Sequence, residues 1–161
     1  DMVYILGDLS YRGRNEDLIA LVARLKGRKV LVKGNHDDVS DYRYEQLFHE
    51  VCDYKEIHDS FDKKKYSLVL SHYPIFSWKN MGRGKILLYG HTHVSEEDRY
   101  YQHCLAEMKK NDCRHVYAEE LRAINVGCMH PHMGYTPRTL EELLEAYDRR
   151  KNPNEDKHSE Q

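Results

Sequence analysis

The chain has 161 residues, with 25 Lys and Arg, 27 Asp and Glu, and a net charge of −2. A chain of that length suits one domain and can bury roughly 70% of its unfolded surface, so its core needs neither disulfide nor structural metal. Charged residues make up 32% and apolar residues 40%, which excludes a disordered chain. No apolar run approaches the roughly 18 residues of a membrane span, so no membrane partner is expected. The slightly negative balance gives no bulk basic field for nucleic acid and leaves only a local groove open. Cys52, Cys104, Cys113 and Cys128 form no C-x-x-C pair and no signal peptide opens the chain. A reduced, cytoplasmic protein is expected.

Met2–Leu6 is an apolar run that reads as a buried strand ending in Gly7-Asp8. Asn15 caps a helix whose apolar face is Leu18, Leu21, Val22 and Leu25, and Gly27 ends it. Lys29–Lys33 is a second buried strand, ending in Gly34-Asn35-His36-Asp37. Strand, helix and strand in this order make a parallel crossover. Ser40 is placed as the cap of a short helix through His49, and Asp53–His58 as an edge strand. Lys65–Ser71 and Lys85–Tyr89 are strands ending at His72 and at Gly90-His91-Thr92-His93. Ser95 opens a polar helix, Leu121–Val126 is the last strand, and Thr139-Leu140-Glu141-Glu142 is a capping box. One domain over 1–148 and a solvated tail over 149–161 follow.

In open α/β sheets, ligands gather at the carboxyl ends of strands. Four such ends carry Asp8, Asn35-His36-Asp37, His72 and His91-Thr92-His93. A carboxylate, an amide oxygen and several imidazoles make a mixed N/O set suited to Zn, Mn, Fe, Co or Ni. In an extended segment His91 and His93 would point to the same side. Gly7, Gly34 and Gly90 precede the polar residues and permit close backbone approach. The absence of cysteine from the set argues against a closed structural zinc site, and open sites of this kind carry out hydrolysis.

The blocks Gly7-Asp8-Leu9-Ser10-Tyr11-Arg12-Gly13, Gly34-Asn35-His36-Asp37, Ser71-His72-Tyr73-Pro74 and Gly90-His91-Thr92-His93 resemble, in order and spacing, those of the calcineurin-like metallophosphoesterases. Asn125-Val126-Gly127 is similar to a block of small bacterial members. The resemblance, to a small bacterial or phage-type enzyme, implies an α/β sandwich of two mixed sheets flanked by helices. It implies metal-dependent hydrolysis of phosphate esters, diesters favoured, by an attacking hydroxide shared between two metals, with Mn the expected ion in vitro. Asp8 would bridge the metals, Asn35, His72 and His91 would complete one, and His93 would bind the other. His36 would assist the leaving group, Asp37 would orient it, and Arg12 would touch phosphate.

The family's opening Asp-x-His block is not found here, and the reading favours an N-terminally incomplete chain. The substrate is a phosphate ester, with a nucleotide among the candidates. A nuclease or nucleotide pyrophosphatase, supported locally by Lys79, Arg83 and Lys85, is a second reading, and a non-catalytic scaffold of the same fold a third. Tyr11 and Tyr73 read as packing residues, and Trp78 as a core residue or a base-stacking one. His130-Pro131-His132 reads as a substrate-facing loop or a surface turn ahead of a metal site. His103-Cys104 with Cys113 and His115 matches no standard zinc spacing.

Overall fold

The computed structural model describes residues 1–11, 16–111 and 121–151. Two sheets form among them, and the largely apolar strand stretches at 30–32, 68–71, 86–89 and 123–125 are buried on both faces. The first holds β1 (Met2–Ile5), β2 (Arg28–Val32) and β3 (Glu50–Cys52) in that order, parallel at both pairings. The second holds β4 (Tyr54–Phe61), β5 (Lys64–Ser71), β6 (Ile86–Tyr89) and β7 (Ala123–Asn125). Its β4–β5 pair is antiparallel and its other two pairs are parallel, so this sheet is mixed. The helices are α1 (Glu16–Arg24), α2 (Tyr42–Glu45), α3 (Glu96–Lys110) and α4 (Leu140–Lys151).

The period-2 pleat sorts the second sheet's side chains between two cores. Leu68, Leu70, Ile86 and Leu88 face the first sheet and meet Val32, with Tyr4 and Leu6 packed against the cluster. Leu140, Leu143 and Leu144 of α4 close the same cluster. Val69, Leu87 and Tyr89 face the other way and pack on Tyr101 and Leu105 of α3. On the outer face of the first sheet, Leu31 meets Leu18 and Val22 of α1 and Tyr44 of α2. The order of layers is therefore helix, sheet, shared core, sheet, helix, which is the expected sandwich.

Boundaries differ from the sequence reading in physically ordinary ways. The cap of α2 is Asp41, whose side chain accepts from the Arg43 N–H, and not Ser40. The helix stops at Glu45 because β3 follows it, a strand too short for any periodicity to show. The capping box of α4 forms as read, with Glu142 accepting from the Thr139 N–H at 2.8 Å. Helix α4 reaches Lys151, so the first residues assigned to the tail are helical. Asn15, Cys113 and His115 lie outside the described residues, and with them the α1 cap and half of the His/Cys cluster. No helix among the described residues is long and apolar enough to cross a membrane.

All of β1, β2, β5, β6 and β7 run parallel where they pair, so within each sheet their carboxyl ends lie on one side. One contact joins the two sheets at that side, with His72 Nδ1 donating to the Leu6 carbonyl at 2.6 Å; within the second sheet the Gly90 N–H donates to the His72 carbonyl at 3.0 Å.

Candidate metal centre

Asp8, His72 and His91 converge at this side. Each offers a ligand atom, and these atoms lie within 4.8 Å of one another. His72 is fixed most firmly. Its ring is buried, and Nδ1 is committed to Leu6, which leaves the Nε2 lone pair facing the centre. That Nε2 lies 3.3 Å from Asp8 Oδ2 and 3.1 Å from His91 Nδ1. Burial, and then the neighbouring His72, lower the pKa of His91 below the ordinary imidazole value. A neutral His91 has a lone pair to give near pH 7.

Asp37 sets the geometry from behind. Its Oδ2 accepts from the N–H of Asp8 and of Gly34, both at 2.8 Å, and its Oδ1 accepts from Leu9 at 3.3 Å. One carboxylate thereby ties the loop after β1 to the turn after β2. The turn answers in kind, for the His36 N–H donates to Asp8 Oδ1 at 2.9 Å. Asn35 lies between these two anchored residues, on the exposed side of the turn. Asp37 was assigned the task of orienting His36; its bonds run to backbone, so it orients the whole turn that carries His36.

The loops meet too closely for larger residues. A Cβ on Gly34 would come within 2.1 Å of Asp8 Oδ1 and 2.6 Å of His72 Cε1. A Cβ on Gly7, whose φ is +81°, would lie 2.5 Å from both Gly34 N and His72 Nδ1. Asp8 (φ 53°), His91 (φ 63°) and His93 (φ 49°) are left-handed without being glycine. Asp and His tolerate that region better than most residues, and such outliers persist where surrounding bonds hold them. The extended segment expected for His91-Thr92-His93 is therefore not formed. His93 is exposed and stands apart from the Asp8, His72 and His91 group.

A buried polar network holds this last loop in place, and sequence reasoning missed most of it. Asp98 Oδ1, in the first turn of α3, accepts from Tyr89 at 2.6 Å, Asn125 at 2.8 Å and Thr92 at 3.0 Å. Burial, and then the bond to Asp98, push the Tyr89 phenol up, so it stays a donor. His130 Nε2 donates to the His93 carbonyl at 2.9 Å. His130 is buried and supports this loop, so of the two expectations for His130-Pro131-His132 the plain surface turn is set aside. His132 Nε2 bonds the Asn125 carbonyl at 2.9 Å, and burial, then Arg150, lower its pKa to about 4. The sequence marked Thr92, Asn125, His130 and His132, but not their joint hold on Asp98 and this loop. Asp98 reads as an ordinary acid at a helix start.

Of the two readings of Trp78, the core one holds. Trp78 is buried, and its Nε1 donates to the Lys85 carbonyl at 2.6 Å, so its ring covers core. Lys79 and Lys85 both pair with Glu56, which removes most of the local basic support for a nuclease groove. Tyr11 and Tyr73 are exposed and do not serve as core packing. Arg12 lies outside the described residues.

The donor chemistry fits a divalent transition metal: one carboxylate and two imidazoles, glycine-lined, with their lone pairs convergent. Gly34→Ala should retain cooperative unfolding while Mn²⁺ affinity falls by about 10–100-fold or more, the range seen when a ligand's support is lost. Calorimetric titration measures this directly, and unchanged affinity would place the ion elsewhere.

The calcineurin-like phosphoesterase profile matches residues 1–156. The Gene 66 protein of Mycobacterium phage D29 is 33% identical over 115 residues, a match covering 58% of this chain and 58% of that protein. The chain thus spans well under two thirds of that curated relative. A crystal structure of a protein of unknown function from Aquifex aeolicus shares the fold with a TM-score of 0.55 and 24% identity, over 91% of this chain and 76% of that one. With the profile spanning nearly its whole length, the chain belongs to the calcineurin-like phosphoesterase family.

Proposed function

We propose that the chain hydrolyses phosphate esters, diesters in preference to monoesters, with divalent transition metals at the strand-end centre. The observation that carries this reading is the convergence of Asp8, His72 and His91 beside the anchored Gly34–Asp37 turn. The diester preference rests on likeness to small family members. Asp8, Asn35, His72 and His91 would hold one ion, and Asp8 with His93 would serve a second. Manganese is the ion expected to serve in vitro, since a nitrogen-rich set disfavours Ca²⁺ and Mg²⁺. When bound, the ions neutralise phosphoryl oxygens and make water acidic enough to attack near neutral pH.

The remaining work falls to the chain's own groups. The Asp8 carboxylate is held by the His36 N–H at 2.9 Å, so its second oxygen faces the centre. His36 rides on the same turn, and we assign it the proton delivered to the leaving oxygen. Asp37 holds that turn against Asp8 through backbone bonds, which fixes where the His36 ring begins. Arg12 is assigned a phosphate contact. The free thiols of Cys52, Cys104 and Cys128 agree with a reducing, cytoplasmic setting.

Chelation should abolish hydrolysis of a nitrophenyl phosphodiester, and Mn²⁺, Co²⁺ or Ni²⁺ should restore it better than Ca²⁺. Full turnover in excess chelator after dialysis would overturn the metal assignment. His36→Ala should keep the bound metal and lower turnover by roughly 10²–10⁴-fold. Esters with better leaving groups should recover part of that loss, because they need less protonation. If His36→Ala instead loses metal at full intrinsic turnover per ion, His36 is a ligand and not the proton donor.

A further inference from the structure

Two tyrosine rings stand in water against the imidazoles of the centre. Tyr11 is 81% exposed, and its ring centroid lies 5.0 Å from that of His36, tilted by 43°. Tyr73 is 44% exposed, with its ring 4.7 Å from His91 and 4.9 Å from His72. Each lies within a block that supplies the centre, Tyr11 three residues after Asp8 and Tyr73 next to His72. Further exposed apolar residues occupy loops after the same strands: Phe76 after β5, Val94 after β6 and Met129 after β7. Scattered exposed apolar residues are normal, but aromatic faces gathered at a site mark a contact surface.

Each ring has an imidazole of the centre beside it and leaves much of its surface to water. A planar aromatic group brought in with the ester can therefore lie on the wet faces while its phosphate reaches the metal ligands. We propose that Tyr11 and Tyr73 form a stacking platform that selects phosphate esters carrying a nucleobase-like aromatic ring. The proposal rests on the hydrolase reading above and names its substrate class. It gives the stacking role, one of two readings the sequence offered for Trp78, to the two exposed tyrosines. A platform of this kind requires no basic groove, in keeping with the pairing of Lys79 and Lys85 to Glu56.

The test compares two diesters that differ only in the base: the methyl ester of adenosine 5′-phosphate and the methyl ester of base-free 1-O-methylribose 5-phosphate. Both offer the same leaving groups, so metal chemistry is common to them. With Mn²⁺, the wild-type chain should favour the adenosine diester in kcat/KM by roughly 5- to 150-fold, the range for one stacked base. Tyr11→Leu and Tyr73→Leu should each shrink that ratio, mainly through KM, while Tyr11→Phe and Tyr73→Phe preserve it. Equal slowing of both diesters by the Leu variants would show that the rings only support His36 and His91, and would overturn the proposal. So would a wild-type ratio near one. If neither diester is cleaved, the hydrolase reading fails on its own account. Stacking is then decided by NMR titration of the chain with adenosine 5′-monophosphate and with ribose 5-phosphate. Tighter nucleotide binding with upfield shifts of the Tyr11 and Tyr73 rings supports it, and equal affinity overturns it.

Discussion

The centre depends on one carboxylate that does not face it. Asp37 gathers three backbone N–H groups from two loops that follow different strands, and so brings Asp8 within 3.3 Å of His72. Hydrogen bonds to an ionised acceptor are stronger than neutral ones, and three of them define a position better than any single contact. Gly7 and Gly34 make the approach sterically open, and Asp37 makes it favourable. Without that tie, Asp8 has little reason to remain in the left-handed conformation it occupies.

A second carboxylate plays the matching part on the other sheet. Asp98 collects donors from Tyr89, Thr92 and Asn125, which lie on β6, on the loop after it and on β7. That bond set holds Thr92 between two left-handed histidines, and His130 takes up the His93 carbonyl. The two halves then lock through His72, which bonds Leu6 on the first sheet and Gly90 on the second. Candidate ligands are thus presented by buried polar supports on each sheet, while Tyr11, Tyr73 and His93 remain open to an incoming ester.

Much of this was legible in the sequence, because strand ends with Gly-Asp, Gly-Asn-His-Asp and Gly-His-Thr-His follow short continuous apolar runs. The α/β class and the placing of Asp8, His72 and His91 at strand ends follow from those runs, while the two-sheet sandwich was implied by the resemblance to the family. What stayed hidden depends on contacts distant in the chain. Asp98 looks like a helix-dipole residue until Tyr89 and Asn125 are seen beneath it. His130 looks like a surface turn until its ring is found on His93. Strand β3 is too short to show a period. The alternation that placed His91 and His93 on one side assumed extended backbone, and the positive φ at both removes the premise. Tyr11 and Tyr73 carry no sequence mark that separates an exposed ring from a packed one.

The most direct test of this account is the metal affinity of Asp37→Asn against wild type, read by competition with a chromophoric chelator. Asparagine keeps the size of the side chain but replaces one acceptor oxygen with a donor that faces backbone N–H. The fold should survive, since Asp37 lies outside the hydrophobic clusters. Mn²⁺ binding should weaken by about 10–100-fold, as for other supports of metal ligands. Unchanged affinity in a folded Asp37→Asn protein would contradict it, because Asp8, His72 and His91 would then converge without the tie that is held to bring them together.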